Sequence, residues 1–434
     1  MYPLTLNRVY FSERVERDKR AWERMNKMAK AIGLSTSALI KITDAELPDI
    51  VAENNWQNAW IPQGMRKEQK KIDLVFNAFK FNNDERQVEQ TLKSCPSGTP
   101  RELVKSLLGY CTPVYLSHSR IYDKKVNCVC WSENEFITIE GCPHGCKYCP
   151  AGQLININLN LEDFIEKVVI PTLKQNAWQK CFRCNTTASD TICFEPEYGL
   201  HELVTRKFAE FRDKYLYIHT KSANVDFIKD LKYRNRIIMV WSITSDRVSR
   251  EIESGTATAL ERVEAARKCQ EMGIPIRYKF KPIIPLSNWR QEYSAIIEEM
   301  FRRTNPEAVG FCVLMWMDAE RFHKIFNPAM FDPLYISRME ESKEEMKGIS
   351  TGPFPHDVRK EIYQFFINEI RKRQKSVPLF ISTESREMWD DLKNLLGVSP
   401  SKFICGCGPV CLPGPRLAKT ATSTYGRRTQ KRCY

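Results

Sequence analysis

Three cysteines in the stretch ITIEGCPHGCKYCPAG have the clearest chemical potential in this sequence. Cys142, Cys146 and Cys149 have the spacing C-x3-C-x2-C and follow directly after a predicted strand. Three thiolates on one short loop can converge on a single inorganic centre, and iron–sulfur clusters are held by cysteine thiolates. Because a four-iron cube has four corners, three protein ligands leave one iron open to a small chelating molecule. A structural zinc site, which usually has four protein ligands, and buried free thiols are the alternatives.

Other cysteines form less specific patterns. The stretch FICGCGPVCLPG near the end of the chain contains Cys405, Cys407 and Cys411 as C-x-C-x3-C, among glycine and proline. These residues could hold a second cluster or a zinc ion, with a cysteine from elsewhere as a further ligand. Cys181 and Cys184 form C-x2-C, which is half of a zinc knuckle, a redox pair or a coincidence in a loop.

Alternating strands and helices must position these groups. From about residue 134 onward, apolar runs of strand length alternate with amphipathic runs of helix length, six times. The predicted strands are FITIEG (136–141), TICFE (191–195), YLYIHT (near 216–220), RIIMVWSIT (236–244), PIRYKFKPIIP and AVGFCVLMW (308–316). Such alternation is typical of a parallel sheet with covering helices, open or curled into a partial barrel. In such folds the working residues lie at the carboxyl ends of the strands.

The regions on either side of this core differ from it. Residues 1–115 are predicted to be mostly helical, residues 116–320 to form the core, and residues 321–434 to form an α+β extension. The extension contains the second cysteine group, a helix over VRKEIYQFFINEIRKRQ, a short strand PLFIST and the basic tail PRLAKTATSTYGRRTQKRCY. We expect this tail to be flexible, so that it either reaches nucleic-acid phosphates or is a solvated terminus.

Composition restricts the class of protein. A chain of 434 residues with 42% apolar residues suffices for two or three domains with buried cores and excludes wholesale disorder. Because the sequence has no long apolar run and a charged start, we expect neither a membrane helix nor a secretory peptide, and therefore a cytoplasmic protein with reduced thiols. The excess of 66 basic over 53 acidic residues favours a nucleic-acid partner, with a solvated basic surface as the alternative.

The cysteine loop resembles the signature of the radical S-adenosylmethionine (SAM) superfamily, in which an aromatic residue precedes the third cysteine, here Tyr148. The stretches IHTKSANVDFIKDLKYRNRIIMVWSITSD and SGTATALERVEAARKCQEMGIPIRYKFKPIIPLSNWRQEY look like spore photoproduct lyase and its relatives. LNRVYFSE near the start looks like the opening strand of that family. The likeness covers residues 116–320 well, the N-terminus loosely and the last hundred residues poorly.

The resemblance implies a fold, a pair of cofactors and a reaction. The fold is a partial (β/α)6 barrel of the TIM type, and the three loop cysteines hold a 4Fe–4S cluster whose open iron binds SAM. In this superfamily an electron from the cluster cleaves SAM into methionine and a 5′-deoxyadenosyl radical, which abstracts a hydrogen atom from the substrate. The cofactors carry the chemistry, and the protein supplies orientation and shielding.

The resemblance also implies roles for five further residues. Tyr148 lies near the adenine, Glu195 accepts the methionyl ammonium group, and Lys221 and Ser242 bind SAM at the ends of their strands. Cys193 corresponds to the cysteine with which the family returns a hydrogen atom to the product radical. Without the resemblance, Lys221 would be interpreted as a surface lysine, Ser242 as a strand serine and Cys193 as a buried strand cysteine.

One position departs from the lyases and leaves two reactions open. The lyases have a tyrosine after the third cluster cysteine, where this chain has Pro150. Radical SAM isomerases of phages that hypermodify thymidine also resemble this family, and they move an aminoacyl substituent from nitrogen to carbon. The implied substrate is a thymine-derived base in DNA, handled by repair or by isomerisation in a bacterial or phage-infected cell. Such a base has to leave the stack, at a cost of a few kcal/mol.

The expected partners are DNA and a reductant protein such as flavodoxin or ferredoxin. No association with a membrane is expected. Two other functions remain open at this point. The same radical chemistry could act on RNA, a peptide or a small molecule. Alternatively, the chain could be a non-catalytic iron–sulfur or zinc protein that binds nucleic acid.

Overall fold

The computed structural model describes residues 4–66, 71–111, 115–117, 129–130 and 133–418. The part of the predicted basic tail beyond residue 418 lies outside these ranges. Within them, no helix combines the length and the apolar character needed to cross a membrane.

The structure is of mixed α/β type. The strands are β1 Leu6–Ser12, β2 Ile40–Ile42, β3 Ile72–Asn77, β4 Tyr115–Ser117, β5 Glu133–Phe136, β6 Ile139–Glu140, β7 Gly145–Cys146, β8 Leu154–Asn158, β9 Cys181–Cys184, β10 Tyr215–Thr220, β11 Ile237–Ile243, β12 Glu253–Ser254, β13 Ile276–Ile283, β14 Val309–Val313, β15 Leu379–Ile381, β16 Cys411–Leu412 and β17 Arg416–Leu417. The helices are α1 Lys19–Ala31, α2 Leu47–Glu53, α3 Glu85–Ser94, α4 Arg101–Leu107, α5 Leu161–Phe164, α6 Ile170–Gln175, α7 Leu200–Ala209, α8 Asp246–Glu251, α9 Ala259–Glu271, α10 Trp289–Arg303, α11 Ala319–Ile325, α12 Pro333–Glu341, α13 His356–Arg373 and α14 Arg386–Leu396.

The largest sheet confirms the predicted fold class. Its strand order is β15-β14-β13-β11-β10-β9-β5-β4, and all neighbours from β5 to β15 pair in parallel. These strands follow one another in chain order with helices between most of them, which is the arrangement of a β/α barrel. The two end strands differ, so the sheet is open. Every residue of β11 is buried, as expected for a strand covered on both faces.

A second sheet joins the N-terminal region to the cysteine loop. Its order is β2-β1-β3-β8-β6, with parallel pairing up to β8 and an antiparallel β6. The predicted helical region thus contains α1–α4 and also three strands, of which only β1 is predicted from the sequence. Strands β6 and β8 flank the cysteine loop on either side. The division of the chain at residues 115 and 320 stays a prediction.

One predicted strand is wrong, and the error matters for the site. The stretch TICFE does not form a strand, because Thr191–Phe194 form a turn of 3-10 helix. The strand of this region is β9, which ends eleven residues earlier than the predicted TICFE strand, at Cys184 rather than at residue 195. Asn185 ends it in a left-handed conformation, with φ of 58°. A short apolar run is compatible with a strand or with a buried helical turn, and periodicity alone does not separate them.

The C-terminal extension adds an edge strand to the main sheet and also packs against the amino ends of its strands. Strand β15 extends the sheet in parallel. The loop that precedes β16 packs at the amino ends of the strands, where the backbone amides of Lys180 and Cys181 donate to the Pro409 carbonyl oxygen, at 2.7 and 2.9 Å. The Arg277 guanidinium donates to the carbonyl oxygens of Cys411 and Leu412. The extension therefore covers the edge of the sheet opposite its carboxyl ends.

Candidate active site

The cysteine loop is folded back on itself after β6. Gly141 has a φ of 96°, and a Cβ at this position would lie 1.9 Å from the carbonyl oxygen of Leu154 in β8. Only glycine therefore fits between the loop and the strand. The backbone amide of Cys142 donates to the Ala151 carbonyl oxygen at 3.1 Å, which brings the two ends of the loop together.

A two-stranded clamp fixes the centre of the loop. Strand β7, which contains Cys146, pairs in antiparallel fashion with β12, and Cys146 is the register partner of Glu253. A Cβ on Gly145 would lie 2.5 Å from the Ser254 Oγ and 3.3 Å from the Ser254 carbonyl oxygen, so the two strands approach closely here. The clamp places a buried carboxylate beside the thiols.

The three thiols line one cavity of about 140 Å³. Its other walls are segment 186–190 after β9, residues 219–221 at the end of β10 and Ser242 in β11. These segments follow or end neighbouring parallel strands, as expected for the working edge of such a sheet. Burial raises the pKa of Cys146 to about 12 and also raises the pKa values of Cys142 and Cys149. A bound metal must therefore displace their protons.

Lys221 belongs to a buried charged network next to the thiols. Its Nζ lies 2.6 Å from a Glu253 carboxylate oxygen and 3.9 Å from the Cys146 Sγ, and it also contacts the Tyr148 hydroxyl. The other Glu253 oxygen accepts from Arg262 at 2.9 Å. Although burial raises the pKa of Glu253, the charges of Lys221 and Arg262 hold it at about 2. The carboxylate is therefore ionised and keeps a cation at the cavity wall.

A second network ties the loop to β10. The His144 Nδ1 donates to the Gly255 carbonyl oxygen at 2.8 Å, and its Nε2 lies 2.9 Å from an Asp190 oxygen. Asp190 also accepts from the Thr220 hydroxyl and from the Lys221 backbone amide, each at 2.8 Å. Burial raises the pKa of Asp190, but the hydrogen bond and charge of His144 and the other donors lower it overall.

Two buried hydroxyl groups at the cavity wall have unused hydrogen-bonding capacity. The Thr186 Oγ1 and the Ser189 Oγ are buried, and neither finds a partner within the ranges that the structure describes. Buried polar atoms are almost always hydrogen-bonded, so these two indicate a polar ligand in the cavity. On the opposite wall, the His219 Nε2 and the Ser242 Oγ lie 2.9 Å apart. Burial and the neighbouring lysine charges lower the pKa of His219 well below its usual value, so its ring is neutral.

The structure brings six of the eight predicted site residues together. These six line the cavity: Cys142, Cys146, Tyr148, Cys149, Lys221 and Ser242. Glu195 and Cys193 are not part of its lining. The Glu195 carboxylate accepts from the backbone amides of Gly199 and His201 and from the His201 Nδ1, so it caps α7. Cys193 is fully buried, and its Sγ lies 3.7 Å from the His144 Nε2.

Sequence reasoning missed several residues of this wall. Thr186, Ser189, Asp190 and His219 line the cavity, although none was singled out from the sequence. The first three were missed because β9 was placed too late in the chain. The signal was the polar run NTTASD after the apolar CFRC, which marks the end of a strand.

The predicted second metal site is not supported. The Cys407 Sγ accepts from the Lys279 Nζ at 2.5 Å, and the Cys411 Sγ accepts from the Cys405 backbone amide at 3.2 Å. The Cys405 and Cys407 sulfurs lie 3.7 Å apart, but the Lys279 cation compensates the Cys407 thiolate, and the three cysteines do not form a group of mutually close ligand atoms within the described residues. Within the described ranges, one group of buried ligand atoms does converge, and it consists of His144, Asp190 and Cys193.

The C-x2-C pair in β9 is not a zinc knuckle either. Residues three apart on a strand point to opposite faces of the sheet. Consistent with this, Cys181 and Cys184 pack in two different apolar clusters.

Fold and site together define an α/β protein with an open parallel sheet that carries a loop of three thiols at its carboxyl edge. The family model for spore photoproduct lyase matches residues 133–360, just over half of the chain. The chain belongs to the spore photoproduct lyase family.

Individual relatives agree with this assignment. Spore photoproduct lyase of Clostridium acetobutylicum is 21% identical over 244 residues, which span 54% of this chain and 71% of that protein. The Bacillus subtilis enzyme is 28% identical over 147 residues, 33% of this chain and 41% of that protein. A solved mutant of spore photoproduct lyase superposes with a TM-score of 0.59 at 16% identity, covering 87% of this chain and 98% of that one. At this identity the superposition shows the fold alone, a radical SAM enzyme fold.

Proposed function

We propose that this protein is a radical SAM enzyme that acts on a thymine-derived base in DNA. The observation that carries the proposal is the cavity itself, because three thiols, a buried lysine and two hydroxyl groups without a partner among the described residues face the same space. A solved spore photoproduct lyase mutant, with a TM-score of 0.57 at 15% identity, contains bound AdoMet and a dinucleoside spore photoproduct. Family membership and this precedent support the same cofactor and substrate class here.

The donor set fits a 4Fe–4S cluster with one open iron. Cys142, Cys146 and Cys149 would hold three irons, and all three line the same cavity. When bound together, the cluster and SAM supply a 5′-deoxyadenosyl radical. The protein contributes binding, orientation and the exclusion of water.

The cavity wall offers a site for each polar group of SAM. Lys221 provides a cation for the carboxylate of SAM. The Glu253 carboxylate keeps the Lys221 ammonium group protonated and holds it beside the thiols. For the ammonium group we assign segment 186–190 rather than Glu195. The Glu195 oxygens already accept three hydrogen bonds, while the Thr186 and Ser189 hydroxyl groups have no partner in the part of the chain that the structure describes. Tyr148 and Ser242 also line the cavity, where Tyr148 stays the proposed neighbour of the adenine and Ser242 a proposed contact of SAM.

DNA suits the charge of the chain. An excess of 13 positive charges attracts a polyanion, and the affinity that it supplies does not depend on sequence. The reactive base must leave its stack to enter the cavity, which costs a few kcal/mol and less for a damaged or modified base. A cytoplasmic location and a flavodoxin or ferredoxin as electron donor complete the proposal.

A specific observation favours isomerisation over repair of a spore photoproduct. Within the described residues, every cysteine that lines the cavity is one of the three cluster ligands, and Pro150 replaces the tyrosine of the lyases. A lyase-type product radical needs a hydrogen atom from the protein. In an isomerisation, 5′-deoxyadenosine can return the hydrogen atom that was taken from the substrate, so no protein thiol is required.

The proposal is tested by anaerobic reconstitution with iron and sulfide, followed by SAM and dithionite. The wild type should form 5′-deoxyadenosine, and Cys142→Ala should lose both iron and this product, whereas Cys95→Ala, a partly buried cysteine far from the loop in sequence, should keep both. Absence of 5′-deoxyadenosine from a well-loaded wild type would refute radical SAM chemistry.

A second experiment separates the two reactions. The enzyme is incubated in deuterated water with DNA that carries either the spore photoproduct or an aminoacyl-thymidine. Isomerisation predicts turnover of the aminoacyl-thymidine without deuterium in the product, and Cys193→Ala should behave like the wild type. Deuterium in a repaired thymine that disappears in Cys193→Ala would instead establish the lyase reaction with Cys193 as donor.

A further inference from the structure

Trp316 has an unusual conformation at the edge of the sheet that carries the cavity. It follows the carboxyl end of β14 by three residues, and its side chain is 48% exposed. Its φ of 62° lies in the left-handed region, which is a genuine outlier for a bulky aromatic residue. Such strain persists where the surrounding structure imposes it, and it is concentrated at functional sites. The flanking Met315 and Met317 are buried, so the backbone holds this one ring outward.

Lys281 lies beside this ring at the end of the neighbouring strand. Its Nζ is 5.0 Å from the centre of the Trp316 ring and 3.3 Å from the Thr383 Oγ1. The pairing of β13 with β14 shifts by one residue between Phe280 and Ile283, and a bulge of this kind changes the direction in which a side chain points. Thr383, which follows β15, also has a positive φ, of 55°. Three neighbouring strand ends are therefore distorted around one tryptophan and one lysine.

The strand register relates this pair to the cavity. Ser242, which lines the cavity, is the register partner of Lys279 on the adjacent strand β13. Lys281 lies two residues further toward the carboxyl edge, a distance of about 7 Å along a strand. Its charge also acts on His219, another residue of the cavity wall. A polymer that delivers one unit into the cavity would thus run past Trp316 and Lys281.

We propose that Trp316 and Lys281 form a nucleotide-binding platform at the mouth of the cavity, where the ring stacks on an unstacked base adjacent to the reacting one and the lysine contacts its phosphate. The platform rests on the proposed function, because it takes the substrate class to be DNA. An aromatic ring accepts any base face and a lysine accepts any phosphate, so the platform binds without reading sequence. A single exposed ring beside a cation suits a nucleotide better than a protein partner, whose docking site would be an extended apolar patch.

The test measures binding of a fluorescein-labelled, single-stranded oligothymidylate to the reconstituted protein by anisotropy. Trp316→Ala should weaken binding about five- to a hundredfold, and Trp316→Phe should stay within about threefold of the wild type. Lys281→Met should reduce the slope of log affinity against log salt by about 0.7, whereas Trp316→Ala should leave that slope unchanged. Trp178→Ala is the matched control, because Trp178 is partly exposed but precedes β9 at the opposite edge of the sheet.

Two outcomes would overturn the platform. One is a Trp316→Ala affinity within twofold of the wild type, and the other is an equal loss in Trp178→Ala. If Trp316→Ala does not fold, the wild type is titrated with oligonucleotides that carry one aminoacyl-thymidine, which fixes the reacting position, and in which one of the other bases at a time is missing. The platform requires a loss at one position next to the reacting base, and a uniform response would refute it. Formation of 5′-deoxyadenosine without DNA is measured separately, so a failure of the radical chemistry is distinguished from a failure of the platform.

Discussion

Gly141 offers a sharp test of how the cysteine loop is built. In Gly141→Ala, the new Cβ would lie 1.9 Å from the Leu154 carbonyl oxygen and 2.8 Å from the Ile155 Cα. Ordinary contact begins near 3.4 Å, so the loop and β8 would have to separate by about 1.5 Å. Because β8 is held between β3 and β6, the strand cannot move aside without loss of pairing.

The cost has two parts that a control variant separates. Alanine in the left-handed region costs about 1–2 kcal/mol, and forcing extra atoms into a packed site costs about 1–3 kcal/mol more. We therefore expect Gly141→Ala to lower the free energy of unfolding by about 2–5 kcal/mol. Gly33 has a similar φ of 78° and open space around it, so Gly33→Ala should lose only the first part.

The assay combines urea unfolding of the unloaded protein with the iron content after reconstitution. Gly141→Ala should bind much less iron than the wild type, because the displaced loop no longer directs its three thiols to one point. Gly33→Ala should load normally. If the two variants were equally stable and equally loaded with iron, the contact between the loop and β8 would not be the constraint described here.

Three further predictions concern other parts of the site. Glu253→Gln leaves two buried cations without their carboxylate and should lower the free energy of unfolding in urea by about 3–5 kcal/mol. The control Glu251→Gln, at an exposed ion pair, should cost less than about 1 kcal/mol. Equal losses in the two variants would contradict the buried network. Thr186→Val should leave stability unchanged or raise it, because the hydroxyl has no partner among the described residues, yet it should weaken SAM binding about three- to tenfold in equilibrium dialysis. Unchanged SAM binding would remove this hydroxyl from the binding site. Cys407→Ser should keep the iron content of the wild type, whereas Cys149→Ser should lose iron. A lower iron content in Cys407→Ser would support a second metal site after all.

Local sequence predicted the loop of three cysteines and the parallel type of the sheet. Three cysteines within eight residues are kept close together by chain length alone, whereas the contact between the loop and β8 decides how their thiols are directed. The alternation of apolar strands with amphipathic helices likewise predicts parallel pairing, because such strands can join only through crossover connections. Lys221 and Ser242 lie at the cavity because each ends or nearly ends a strand that the sequence places correctly.

The prediction of the strand at residues 191–195 failed because contacts between segments distant in sequence decide which residues join the sheet. The apolar run TICFE has the composition of a strand, but β9 occupies that place in the sheet through its register with β10. Glu195 consequently caps α7, and Cys193 is buried in a turn beside His144. The hydrogen atom donor predicted at Cys193 thus lies outside the cavity lining, and its role stays a prediction.

The sequence by itself determined the inorganic chemistry, the class of fold and the identity of the family. Only the tertiary structure decided which carboxylate is ionised beside Lys221, which hydroxyl groups have no partner within the described ranges, and that Cys407 pairs with a lysine. The physical reason is that ligand spacing and hydrophobic periodicity are local properties of the chain. Burial, charge compensation and hydrogen-bond saturation are properties of groups that meet only when distant segments pack together.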